Sequence, residues 1–122
     1  MKVILAANGE LMNSAVAERF CRSRYLILFD TDTGKYQVWD NINNMGAEYG
    51  SGVQSAEMVS KLRADYVITS HCEDRAFRRL QDMGIKVILG VEGTVAEALE
   101  KFKAGKLLPS VVPIMEQKME LL

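Results

Sequence analysis

The chain has 122 residues, 48% hydrophobic and 25% charged, with a net charge of −1. That length fits one domain with its own core, and near-neutrality leaves no electrostatic footprint for nucleic acid or an anionic membrane. No apolar run approaches the roughly 18 residues of a membrane span.

The opening MKVILAANG carries one lysine and a short apolar stretch. The stretch is too short for the core of a signal peptide, and Asn8, Gly9 and Glu10 follow at once. It reads as a buried first strand, Val3 to Ala7, of a cytoplasmic protein. Asn8 and Gly9 turn the chain, and Ser14 to Glu18 read as a short helical turn. Tyr25 to Phe29 is a second apolar run, ending in the polar turn Asp30-Thr31-Asp32-Thr33-Gly34. Tyr36-Gln37-Val38-Trp39-Asp40 alternates with period two, so residues 24–40 read as an antiparallel hairpin.

A polar, glycine-containing loop occupies residues 41–52. Val53, Ala56, Val59 and Leu62 then fall on one helical face. Tyr66 to Thr69 is a buried strand. Ala76, Leu80 and Met83 mark a second helix, with Gly84 as its C-terminal glycine. Ile85 to Leu89 is the next strand. Thr94 reads as the N-cap of a third helix, with Glu97 completing a capping box. Val95, Ala98, Leu99 and Phe102 keep its apolar face. The alternating second half implies parallel strands. After Gly105 the period is lost. Residues 108–122 read as a tail, with a short helix possible from Pro113, either docked on its own domain or used for self-association or a partner.

Two cysteines, Cys21 and Cys72, are too few and too widely spaced for a disulfide framework; a free cysteine is often a small buried hydrophobe. Both nevertheless sit in segments that could carry chemistry. Arg19-Phe20-Cys21-Arg22-Ser23-Arg24 flanks a thiol with arginines, which favour the thiolate. Thr69-Ser70-His71-Cys72-Glu73-Asp74 places Cys72 near a helix N-terminus, which also lowers a thiol pKa. It sets the chain's single histidine beside that cysteine, and both types ligate transition metals. A third segment, Gly50-Ser51-Gly52-Val53-Gln54-Ser55-Ala56, puts glycines before a helix, where backbone N–H groups can approach an anion. It is neither a Walker A loop nor GxGxxG.

These segments, with MKVILAANG, Ala64 to Thr69, and Met83 through Gly93-Thr94 to Leu107, resemble the dinitrogenase iron–molybdenum cofactor biosynthesis family over residues 1–107. The resemblance implies an α/β fold: a three-layer ribonuclease-H-like motif with a five-stranded mixed sheet ordered 3-2-1-4-5, strand 2 antiparallel. It also implies binding of an iron–sulfur or iron–molybdenum type cluster. Relatives commonly carry His-Phe-Gly-Arg where this chain has Arg19-Phe20-Cys21-Arg22. After the fourth strand they have a glycine- and asparagine-rich turn where this chain has Ser70 to Asp74.

In that strand order, the connections after strands 1 and 4 diverge at one rim, a favoured ligand position. The expectation is a carrier in cofactor assembly or delivery rather than an enzyme. Cys21, His71 and Cys72 would be its metal ligands. Arg22, Arg24, Gly50, Ser51 and Gly52 would form the surrounding loop that offsets the cluster's charge. Its partners would be cluster donor and acceptor proteins, with a homo-oligomer open. A nuclease would need convergent carboxylates, and strands 1 and 4 carry none. A thiol redox protein using Cys21 and Cys72, and an interaction module without a cluster, are the alternatives.

Overall fold

A computed structural model describes residues 1–45 and 52–111. The strands are β1 (Lys2–Ala7), β2 (Tyr25–Asp30), β3 (Tyr36–Asp40), β4 (Tyr66–Ile68) and β5 (Lys86–Ile88). The helices are α1 (Val53–Lys61), α2 (Asp74–Asp82) and α3 (Val95–Lys103). The sheet has the order β3-β2-β1-β4-β5. β2 is antiparallel to both β1 and β3, and β4 is parallel to β1 and β5. The implied strand order and the α/β class are therefore observed.

β1 lies at the centre of the sheet and is buried on both faces, which is why it reads as an unbroken apolar run. Ile4 and Ala6 face one layer, packing with Ala56 and Val59 of α1 and Ala76, Phe77 and Leu80 of α2. Val3, Leu5 and Ala7 face the other, with Val95, Ala98 and Leu99 of α3. The sheet is thus the middle of three layers. The Thr94–Glu97 capping box is present in both halves. Gly84 takes the left-handed conformation just past α2, at φ 77°.

The reading of Ser14 to Glu18 as a helical turn is corrected. The segment is pulled out by distant partners: Ala7 bridges Val16 and Ala15 bridges Thr94. Ala17 N–H donates to Ala6 O at 2.7 Å, and Val16 N–H to Gly93 O at 2.9 Å. A short stretch gains little from closing one helical turn, so these bonds decide its shape.

The chain after α3 returns along the outer side of β5, where Ser110 N–H donates to Val87 O at 2.7 Å. The short helix read from Pro113 lies outside the described residues. Among the described residues, no helix is long and apolar enough to cross a membrane.

Candidate functional site

The site is built where residues 8–20 cross the C-terminal ends of β1 and β4. Asn8 N–H donates to Ala15 O at 3.0 Å. His71 N–H donates to Glu18 O at 2.8 Å, and Phe20 N–H donates back to His71 O at 2.9 Å. These bonds lock the backbone on both sides of His71, so its half-exposed imidazole projects from a fixed frame.

Two cavities open on this rim. One, of about 450 Å³, is lined by Asn13, Glu18, Ser70, His71, Glu92 and Thr94, among others. The second, of about 400 Å³, is lined by Asn8, Glu18, Arg19 and Arg22. Glu18 borders both, so they adjoin. Each is within the size range of ligand pockets, about 300–1,000 Å³. The first holds two carboxylates and the imidazole. The second sets two guanidinium groups against one carboxylate and is the half suited to an anion.

The helix that starts at this rim adds no free donors at its first residues. Val95 N–H bonds Ser14 O at 2.9 Å, Ala96 N–H bonds Met12 O at 2.8 Å, and Glu97 N–H bonds Thr94 Oγ1 at 3.1 Å. These would otherwise be the unpaired N–H groups of α3. The loop 12–16 consumes two of them, so the first turn of α3 offers no free N–H to an anion on this rim.

The thiols differ from the sequence expectation. Cys21 sits in a 3-10 turn, Phe20–Arg22, with 4% of its surface exposed. Its pKa is pushed up to about 11, first by burial and then by hydrogen bonding and repulsion from the Glu73 carboxylate. Arg22 and Arg19 pull it down and are outweighed. Cys72 is 7% exposed and packs in the core on the α1–α2 side. Its pKa is also raised, by burial first, then Glu73, then the neighbouring Cys21. Cys72 lies ahead of the first turn of α2, and desolvation overrides any help from that helix end. At neutral pH both are thiols, not thiolates.

The three expected ligands are consequently divided. His71 faces the rim cavity, whereas its neighbour Cys72 turns into the interior. Among the described residues, no group of three or more His, Cys, Asp and Glu side chains stands ready to hold a metal ion. Of the surrounding loop, Arg22 lines the second cavity. Arg24 is occupied elsewhere: it pairs with Asp40 and lies over the Tyr25 ring, 4.6 Å from its centroid. Gly52 is buried, and a Cβ there would stand 2.9 Å from Ala76 Cβ and 3.2 Å from Phe20. Its missing side chain serves interior packing. Gly50 and Ser51 lie outside the described residues. The sequence reading passed over Asn8, Glu18 and Asn13, polar residues in the connection after β1; their position beside that strand's end was the available signal.

A family model described as dinitrogenase iron-molybdenum cofactor matches residues 1–105. The chain belongs to that family. Solved structures agree on the fold of this dinitrogenase-cofactor-family protein. The apo form of the orange protein from Desulfovibrio gigas is 27% identical, with a TM-score of 0.88 over 92% of this chain and 94% of that one. A putative NifB protein from Thermotoga is 30% identical, with a TM-score of 0.77 over 88% and 91%. A putative dinitrogenase from Methanocaldococcus jannaschii, 14% identical with a TM-score of 0.68 over 93% and 97%, shares the fold. No curated protein matches the chain.

Proposed function

We propose that this protein binds and carries an anionic metal–sulfur cluster, of the iron–sulfur or molybdenum-containing kind, during cofactor assembly or delivery. The observation that carries the reading is the paired cavity at the ends of β1 and β4, with Arg19 and Arg22 on one side and His71 on the other. Family membership supplies the class of cargo.

Sulfide-rich clusters are anionic, and two guanidinium groups offset that charge while presenting fixed forks of donors. His71 offers an imidazole nitrogen to a metal at the cluster's edge. The two cysteines contribute covalent bonds only if they become exposed and lose their protons, because each is a buried, protonated thiol. A rim of charged side chains with one imidazole suits a cargo taken up and passed on, with a donor protein before it and an acceptor after it. Protonated, buried thiols support a redox role less, since the thiolate is the reactive form in disulfide exchange.

The test is anaerobic isolation followed by metal analysis and visible absorption spectra. The proposal expects metal, inorganic sulfide and a charge-transfer band in the wild-type protein, and their loss in His71→Ala combined with Arg19→Glu. Cys21→Ala and Cys72→Ala separate the two binding modes: unchanged loading means a cargo held by the rim, and lost loading means that the cysteines are ligands.

A further inference from the structure

Asparagine is a thermolabile residue, because the backbone nitrogen that follows it can attack its side-chain amide. The attack needs that N–H unbonded, free to lose its proton and to swing toward the amide carbon. It is easiest where the next residue is glycine, whose missing Cβ leaves the approach open and the backbone mobile.

The chain has asparagines at positions 8, 13, 41, 43 and 44. At the last four the fold withholds the nucleophile. Ser14 N–H, after Asn13, donates to Leu11 O at 2.9 Å. Ile42 N–H, after Asn41, donates to Asp40 Oδ1 at 2.8 Å. Asn44 N–H, after Asn43, donates to Asn41 O at 2.9 Å, and Met45 N–H, after Asn44, donates to Ile42 O at 3.3 Å. Asn8 is the exception. It is exposed and precedes Gly9. Among the described residues, neither the Gly9 N–H nor the Asn8 side-chain amide has a hydrogen-bond partner. The Asn8 N–H is held by Ala15 O at 3.0 Å, which fixes the residue at the end of β1.

We propose that Asn8 is a site of spontaneous modification, converting to aspartate and isoaspartate through a cyclic imide. The Gly9 nitrogen gives up its proton and bonds to Asn8 Cγ. The Cγ–Nδ2 bond breaks, and the amide nitrogen leaves with that proton as ammonia. Water then opens the imide at either carbonyl. The step is intramolecular, so its two reacting groups are already held together. In sum, water is taken up and ammonia released, with no electron transfer.

The position gives the modification a consequence at the rim, which rests on the proposed cargo reading. Asn8 lines the cavity of Glu18, Arg19 and Arg22. Before the change, two guanidinium groups face one carboxylate; after it they face two. The excess positive charge that draws an anion into this cavity is then cancelled.

Peptide mapping by mass spectrometry tests the modification, on the folded full chain held at mildly alkaline pH and physiological temperature. Acid and isoaspartyl forms should accumulate at Asn8 ahead of the other asparagines, with release of ammonia. Asn8→Gln, whose longer side chain would have to close a larger ring, should keep its amide. An unmodified Asn8, or modification that starts at Asn13 or proceeds equally at all the asparagines, overturns the proposal. Titration with tetrathiomolybdate tests the consequence. Aged wild-type protein and Asn8→Asp should both bind at least about threefold more weakly than Asn8→Gln, and equal affinities overturn it. If fresh wild-type protein binds no tetrathiomolybdate, the cargo reading falls and this consequence with it, while the peptide map still decides the modification.

Discussion

The Glu73 carboxylate accepts a hydrogen bond from the Cys21 backbone N–H at 2.9 Å, across 52 positions of sequence. That bond ties the start of α2 to the 3-10 turn behind the rim. Burial first, and the same carboxylate second, hold the Cys21 thiol pKa up at about 11. One acid therefore does two things: it holds the segment that presents Arg19 and Arg22, and it adds to the burial that keeps the nearest sulfur protonated.

Replacing Glu73 separates those roles. Glu73→Ala leaves a part-buried N–H without its partner and should cost about 1–3 kcal/mol in denaturant unfolding. Glu73→Gln keeps an acceptor and should cost less. Both should lower the Cys21 pKa from about 11, read from thiolate ultraviolet absorbance in a Cys72→Ala background. An unchanged titration would mean that burial alone sets it.

The same thiol predicts an alkaline limb. Its folded pKa lies above the ordinary thiol value, so the unfolded chain loses the proton first. Stability from this group is full below about pH 8.5 and falls as pH rises toward about 11. Cys21→Ser should flatten that decline; a decline of the same size in the variant would assign it to other groups.

Gly52 and Gly34 make a controlled pair, because both have positive φ, 76° and 75°. Around Gly34 nothing lies within 4 Å of an added Cβ, whereas at Gly52 the added atom meets Ala76, Glu73 and Phe20. Gly34→Ala should cost about 1 kcal/mol from backbone strain alone. Gly52→Ala should cost about 2–4 kcal/mol, strain and overpacking together. Equal losses in chemical denaturation would show that the contacts around Gly52 give way freely.

At the start of α3, Thr94→Ala removes one half of the capping box and should cost about 1 kcal/mol. Glu97 is held below its ordinary pKa by the Thr94 N–H and hydroxyl. Its contribution is therefore present above the usual glutamate pKa and is lost as pH falls through the lower folded value. Glu97→Gln should show a flatter acid limb than wild type in thermal melts. An unchanged acid limb would remove Glu97 from that account.

What could be read from the sequence was what is decided locally. The hairpin at 24–40, the apolar runs of β1 and β2 and the Thr94–Glu97 box depend on neighbours a few residues apart, and all are observed. The shape of residues 14–18 is not legible locally, because their partners, Ala6, Gly93 and His71, are supplied by other elements. The protonation state of the cysteines is not legible in the sequence either. Flanking arginines are visible in a sequence, but burial and the approach of Glu73 are not, and these outweigh them. His71 and Cys72 are adjacent in the chain yet serve opposite sides of the turn. Asn41 gave no signal either, although it is fully buried and bonds Ser23 O at 2.9 Å and Ser55 Oγ at 3.0 Å, joining the hairpin end to α1.

The central claim is that the Arg19–Arg22–His71 rim holds an anionic metal–sulfur cargo. The most direct measurement is equilibrium titration of the protein with a molybdenum–sulfur anion, tetrathiomolybdate, under anaerobic conditions. Binding should be saturable, weaken as salt screens the guanidinium groups, and fall at least about tenfold in Arg19→Glu/Arg22→Glu, a loss of about 1.4 kcal/mol or more. Affinity that is unchanged in that double variant, or no saturable binding by the wild-type protein, would contradict the account.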